Sequence, residues 1–422
     1  MAKGAGAGGL PGFRDFYPEE FSNRAFILQT WRDVARRFGF VEYDGPPLEP
    51  LELYTKKSGD EIVGQLYSFT DKGEREVALR PEMTPSFARM VGARANALRK
   101  PIRWFSIPQL FRYERQQKGR LREHFQLNVD IVGEPDVTAD AELVAVAVEC
   151  MRGFLLGPED VRARVSDRRL LSAILKALAV SDEQGPAAFA VIDKLDRQPA
   201  EVSRDKLRQA GLETEAVEGI LGLQRLDSPD KIRAAFAKDA TVTERVAELS
   251  RYLDYTESLG IRDWVDLDLT IVRGLAYYTG IVFELFDAKG EFRAICGGGR
   301  YDTLLAALSG TDLPALGFGM GDVVLAEVLK ARGRLRTSPI VLDYWVAYEE
   351  PRQLTEAMRV ATALRRQGYA VEYALRSQQL GKQLDAARKA GADAAIIIRS
   401  DGSLRKKHFE SGEEEPFTFP NG

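Results

Sequence analysis

RWFSIPQLFRYERQQKGRLREHFQLNVDIVGE, residues 103–134, holds two runs of alternating character on either side of a charged stretch. Successive side chains of a strand point to opposite faces, so this pair of runs predicts an antiparallel hairpin. With Gln126 taken as facing a pocket, His124, Asn128 and Asp130 fall on its face, and Phe125, Leu127, Val129 and Ile131 fall on the other. One face is apolar core; the other carries an imidazole, two amides and a carboxylate. Between the runs lie Arg112, Arg115, Lys118, Arg120 and Arg122, with Gly119 at the expected tip. An arbitrary basic run is more often a solvated face. Beside a sheet face of convergent polar groups, this one reads as a positive patch for phosphates at the edge of a small-molecule site.

Working outward, Glu20 to Phe38 places Ile27, Leu28, Trp31, Val34, Ala35 and Phe38 at helical spacing, with Gly39 as a stop. FVEYDGPPLEP, residues 40–50, reads as a short strand ending in prolines, which suits a sheet edge. QLYSFTD around Tyr67 and EVALRPE around Leu79 predict further strands. From Asp160 to Leu253 the chain is rich in Ala, Leu, Lys and Glu and is predicted to be mostly helical. Strand chemistry returns in LDLTIVRGLAYYTGIVFELFD, residues 267–287, and RAICGGGRYDTLL, residues 293–305, followed by a helix in GDVVLAEVLKA. After a linker from Arg332 to Pro339, strands and helices alternate as β-α-β-α-β, which predicts a small α/β domain with a buried sheet. The polar, acidic tail after Ser400 is expected to fray.

Composition narrows the function classes. The 422 residues predict two or three domains, with 45% hydrophobic and 29% charged residues, as in ordinary globular proteins. Lys and Arg number 59 against 63 Asp and Glu, so any contact with nucleic acid or phosphate must be local. Cys150 and Cys296 are far apart in sequence, which excludes a disulfide framework and fits a reducing compartment. With His124 and His408 the only histidines, His-rich metal sites and Ser/His/Asp hydrolysis lose most of their support. No apolar run reaches the ~18 residues of a membrane span, and the first residues do not read as a signal peptide, so a cytoplasmic protein is expected. The Gly4-x-Gly6-x-x-Gly9 match has no strand before it and is set aside, and no P-loop sequence occurs.

Three further strings carry polar chemistry. LRPEMT, residues 79–84, places Glu82 and Thr84 on one face of an extended segment, a carboxylate and a hydroxyl of the kind an ammonium group requires. A structural salt bridge is the plainer reading of that string alone. VRGLAYYTG sets Arg273 ahead of Tyr277 and Tyr278, and the glycines of ICGGGRYD form either a turn or a close backbone approach. LGFGMGDVVL brings Gly317, Gly319 and Gly321 to the start of a helix, where backbone can face an anion or a purine or simply pack tightly.

LRPEMT, FRYERQQKGRLREHFQ, VRGLAYYTGIVFE and CGGGRYD, in that order, resemble the histidyl-tRNA synthetase family of class II aminoacyl-tRNA synthetases. The likeness covers nearly the whole chain. It implies an α+β fold: an antiparallel sheet with flanking helices, a helical insertion and a C-terminal α/β anticodon-binding domain. The implied divisions are 1–160 and 254–331 for the catalytic core, 161–253 for the insertion and 339–422 for the C-terminal domain. The implied activity is a histidine-tRNA ligase that uses ATP with Mg²⁺ and acts as a homodimer on histidine and tRNA-His, with the first helix and Pro46 in the dimer-forming motif. No metal is assigned to protein ligands.

The resemblance also implies roles for residues. Glu82, Thr84 and Gln126 would hold the amino group of histidine, Asp130 and Tyr278 its imidazole, with Tyr277 beside them. Arg112 would meet the ATP phosphates, Glu114 the adenine, and Arg273 the α-phosphate and substrate carboxylate; Arg273 and Arg112 form the catalytic pair. Arg115 and Gln117 would touch the tRNA acceptor end. The chain departs from the family pattern at three places. Val324 stands where an arginine that sandwiches adenine is usual, and Ala276 where an acidic residue is common. HFQ replaces FHQ, which by alternation turns His124 rather than Phe125 toward adenine. Val324 keeps a second reading open: a non-charging paralogue that senses histidine as a regulatory subunit of ATP phosphoribosyltransferase.

Overall fold

The computed structural model describes residues 9–55, 64–114, 119–272, 278–335 and 342–419. The chain divides into two units, Met1–Asp15 with Arg24–Leu335, and Phe16–Asn23 with Arg336–Gly422.

In chain order the first unit contains β1 (Val41–Glu42), β2 (Leu48–Pro50), β3 (Tyr67–Thr70), β4 (Glu76–Leu79), β5 (Ile102–Ser106), β6 (Gln109–Phe111) and β7 (Glu123–Val132). After these come β8 (Val161–Asp167), β9 (Val265–Leu267), β10 (Ile281–Asp287), β11 (Cys296–Arg300) and β12 (Ala315–Gly321). Among the described residues these build a nine-stranded sheet in the order β1-β5-β7-β12-β11-β10-β8-β9, with β6 paired separately to β7, and a small sheet β2-β4-β3. The pairings of the large sheet are antiparallel except β1 with β5 and β8 with β9. The single strand expected over residues 40–50 is two: β1 at an edge of the large sheet and β2 at an edge of the small one, with Pro46 and Pro47 between them. The hairpin predicted from residues 103–134 is present: β6 and β5 both pair antiparallel with β7.

One face of the sheet is covered because two helices have apolar surface to bury. The helix Thr138–Gly153 is apolar almost all round and is buried along its length, Leu143, Val144, Val146, Ala147, Val148 and Met151 included. The helix Pro18–Arg37 buries Ile27, Trp31, Val34 and Ala35, one helical stripe, and the Trp31 indole N–H points at Met320 Sδ of β12 at 3.2 Å. Removing that indole would cost about 3–5 kcal/mol. These helices meet Leu127, Val129 and Ile131, the apolar face of β7, in one continuous core. The opposite face of β7 is left for other groups.

Residues 161–167, expected to open the helical insertion, instead form β8, which pairs with β10 along its whole length. Alternation in VRARVSD is the signal, obscured by the Ala- and Leu-rich composition of the helices downstream. Asp167 then caps the helix Arg168–Ala177 by accepting from Arg169 N at 2.8 Å. Five further helices run to Ser258, the last, Ala240–Ser258, capped by Asp239. Their buried residues share the core of the sheet.

In the second unit β13 (Leu342–Tyr348), β14 (Val371–Tyr373) and β15 (Ala392–Ile398) are parallel, as their near-continuous apolar runs predict. Val346, Tyr348, Ile396 and Ile398 pack on the helix Leu354–Arg366, while Trp345, Ala347, Ala395 and Ile397 pack toward the helix Leu380–Lys389. The tail expected to fray is ordered: β16 (Leu404–His408) and β17 (Glu414–Pro416) extend the sheet antiparallel. Arg399 holds this extension, paired with Glu349 at 2.6 Å and with Glu414. Paired charges there replace the apolar signal that marks a strand.

Candidate functional site

The polar face of β7 opens onto two adjoining hollows that share Arg112, Gln126, Gly297 and Gly319. The first is lined by Arg112, Glu114, Arg120, His124 and Cys296, and by Val323 and Val324 from the helix Asp322–Ala331. The second is lined by Glu82, Thr84, Gln126, Asn128, Asp130, Tyr278 and Tyr301. All residues predicted for histidine that are described, Glu82, Thr84, Gln126, Asp130 and Tyr278, therefore meet in one hollow. Those predicted for ATP, Arg112, Glu114 and His124, meet in the other. Arg273, Tyr277, Arg115 and Gln117 lie outside the described residues, and so does Ala276.

Glu82 and Thr84 arrive by a different route from the one expected. LRPEMT is not extended throughout: β4 ends at Leu79 and Thr84 begins the helix Thr84–Arg94, with Pro85 in its first turn. A strand-to-helix corner thus presents both side chains to the same hollow.

β12 explains how β7 can carry large polar groups inside a sheet. Gly317 pairs with Asp130, and Gly319 lies against Gln126. A Cβ on Gly317 would fall 2.1 Å from Asp130 Oδ1, and one on Gly319 would fall 2.8 Å from Gln126 Cδ. On β11, a Cβ at Gly298 would sit 2.2 Å from the Gly317 carbonyl oxygen. Gly317 and Gly319 of GFGMG are the room in which Asp130 and Gln126 stand, while Gly298 and Gly299 of CGGGR let the neighbouring strands approach closely. The helix-start reading of Gly317 and Gly319 is corrected accordingly, since both lie within the strand Ala315–Gly321.

The first hollow is cationic. Arg112 is anchored by Nε donating to the Pro81 carbonyl at 2.9 Å, and Arg120 pairs with Glu114 at 2.9 Å. His124 lines this hollow, whereas Phe125 turns away beneath the Arg24 guanidinium at 4.7 Å, as the alternation predicts. Burial, then repulsion by Arg112 and Arg14, pushes the His124 pKa down to about 3, so its ring is neutral. The second hollow has the opposite character. Asp130 is 5% exposed, and burial raises its pKa to about 7 against the opposing effect of a hydrogen bond from the Tyr301 hydroxyl.

Two residues that sequence reasoning missed support the site. Arg14 reaches Glu123 at 2.6 Å and Asp322 at 2.9 Å, and Asp322 also accepts from Phe125 N at 2.9 Å. The arm around Arg14 lies on the hairpin base: Arg122 donates to the Gly12 carbonyl at 3.0 Å, and the Phe13 ring meets Tyr67 and Phe111. Tyr301, within the quoted CGGGRYD string, binds Asp130. Among the described residues no group of three His, Cys, Asp or Glu side chains is placed to hold a metal ion, and no helix is long and apolar enough to cross a membrane.

An antiparallel-rich sheet backed by helices, with a cationic and an acidic hollow on its open face, is the architecture of a class II aminoacyl-tRNA synthetase. The family model for histidyl-tRNA synthetase matches residues 12–322. A histidine–tRNA ligase of Opitutus terrae is 44% identical over 93% of this chain and 90% of its own length, and one of Halobacterium salinarum is 41% identical over 96% and 94%. The crystal structure of histidyl-tRNA synthetase from Nostoc sp. PCC 7120 superposes with a TM-score of 0.85 at 26% identity, covering 98% of this chain and 97% of that one. A Bacillus halodurans structure described as an ATP phosphoribosyltransferase regulatory subunit/histidyl-tRNA synthetase shares the fold, with a TM-score of 0.78 at 22% identity over 95% and 100% of the two chains. This chain belongs to the histidyl-tRNA synthetase family.

Proposed function

We propose that the chain is a histidine–tRNA ligase: it joins histidine to ATP as histidyl-adenylate and passes the histidyl group to tRNA-His. The observation that carries this reading is the junction of the two hollows at Arg112 and Gln126, in a chain of this family. A carboxylate oxygen of histidine attacks the α-phosphorus, the bond to the β-phosphate oxygen breaks, and pyrophosphate leaves. Two anions must be held together, so the chemistry asks for positioning and positive charge rather than a protein base. Arg112, at the junction, meets the phosphates. Arg273 takes the α-phosphate and the substrate carboxylate. Glu114 and neutral His124 face the adenine, with Val323 and Val324 supplying apolar surface in place of an arginine.

On the acidic side, Glu82, Thr84 and Gln126 receive the ammonium group, and Asp130, Tyr277 and Tyr278 receive the imidazole. A side chain without ring nitrogens leaves Oδ2 of the buried Asp130 without a partner, which supports rejection by on the order of 10⁴. Arg115 and Gln117 contact the acceptor end of the tRNA, and the second unit reads its anticodon. Mg²⁺ enters with the triphosphate and neutralises its oxygens. The working form is a cytoplasmic homodimer.

The test is histidine-dependent exchange of pyrophosphate into ATP across a panel of amino acids, followed by charging of tRNA-His. Exchange with histidine alone supports the ligase. Tight histidine binding without exchange, together with co-purification of a phosphoribosyltransferase, supports the regulatory-subunit reading that Val324 favours.

A further inference from the structure

Asp130 is fixed from two sides. The Tyr301 hydroxyl donates to Oδ1, and the backbone of Gly317 lies directly under the same oxygen. Tyr301 itself has little freedom: its ring is 3% exposed within the cluster of Phe87, Val91, Ile102 and Leu305, and its N–H donates to the Ala315 carbonyl at 2.7 Å. A carboxylate without such ties rotates and offers either oxygen. Here Oδ1 is taken and covered, and among the described residues Oδ2 has no hydrogen-bond partner, although Asp130 lines the hollow.

We propose that Tyr301 and Gly317 set the specificity for an imidazole ring: the phenol is a positioning residue that commits Oδ1, the glycine leaves room for it, and Oδ2 alone is presented to a ring N–H. This deepens the proposed function and rests on it. The geometry matters because a single fixed acceptor selects by the height and direction of the donor, whereas a rotating carboxylate accommodates amines and amides as well. Neither residue is asked to touch the substrate. Loss of the phenol frees the carboxylate to turn, and a methyl at 317 drives it out of its seat.

The experiment compares Tyr301→Phe and Gly317→Ala with Tyr252→Phe, a control that removes the hydroxyl of another buried tyrosine, one without a hydrogen-bond partner. For Tyr301→Phe the KM for histidine should rise about 10-fold or more, the loss of one hydrogen bond to a charged group. Its KM for ATP and its kcat at saturating histidine should stay within about twofold of the parent. Gly317→Ala should lose more, about 100-fold in kcat/KM for histidine, because the carboxylate itself is displaced. Tyr252→Phe should match the parent in all three constants. An unchanged histidine KM in Tyr301→Phe overturns the inference, as does a rise in the KM for both histidine and ATP together with a lowered melting temperature. Calorimetric titration of each protein with histidine separates the two layers. A parent that binds histidine without exchanging pyrophosphate contradicts the ligase reading yet leaves the variants' affinities to decide this one, and a parent that does not bind histidine overturns both.

Discussion

The two ends of β7 put opposite demands on one strand face. At His124 the neighbours are the guanidiniums of Arg112 and Arg14, and the ring is kept neutral. At Asp130 the partner is a phenol, and burial alone lifts the carboxyl toward neutrality. Burial is the leading cause at both ends and pushes each group toward its neutral form; at His124 the nearby guanidiniums add to it, and at Asp130 the phenol works against it. In the function proposed, the contrast divides the cleft into a place for phosphates and a place for a ring that both gives and takes protons. Arg112 and Gln126 line both hollows, and on the same proposal they stand where the two substrates are joined.

The largest expected break is Arg112→Ala, which removes the cation at the junction and should lower pyrophosphate exchange by roughly 10²–10³. Arg112→Lys should recover little of it, since an ammonium lacks the planar fork. Next is Arg14→Met, which leaves Glu123 and Asp322 buried without their cation and should cost about 3 kcal/mol in urea unfolding. The same change withdraws one of the charges acting on His124, so NMR should find its pKa moved back toward 6.5. Asp130→Asn tests the other end. Native Asp130 keeps its proton up to about 7 while the unfolded chain gives it up near 3.8, so its contribution to stability falls as pH rises through that interval. Asparagine should abolish that fall, leaving the variant more stable than the parent at pH 8 while its exchange with histidine drops by at least about 10-fold. The smallest effect belongs to His124→Gln. The unfolded histidine takes a proton below 6.5 and the folded one only near 3, so the parent loses stability as pH falls across that range and the glutamine variant should lose less.

Much of this cleft was legible in the strand alternation alone. Placing Gln126 in a pocket put His124, Asn128 and Asp130 beside it, and the structure lines the two hollows with those side chains. The same period-2 pattern located the core face, and the Ala- and Leu-rich text from Asp160 to Leu253 located the helices, β8 at its start excepted. What alternation cannot supply is the partner of a polar group. Tyr301 stands 171 positions from Asp130, and Arg14 stands 109 from Glu123, so no local pattern links them. Gly317 and Gly319 were visible as glycines, but their purpose depends on what the neighbouring strand places over them, which requires the register of β7 against β12. The C-terminal hairpin was hidden for a related reason: its strands are held by ion pairs and a ladder rather than by an apolar stripe. Arg273, Tyr277, Arg115 and Gln117 rest on the family resemblance alone.

The arm that carries Arg14 has a practical side for anyone preparing the protein. Its grip on the hairpin comes from the few positions between Pro11 and Arg14. A clip just beyond Arg14 would strip the counter-charge from Glu123 and Asp322. Intact mass therefore belongs beside specific activity when batches disagree.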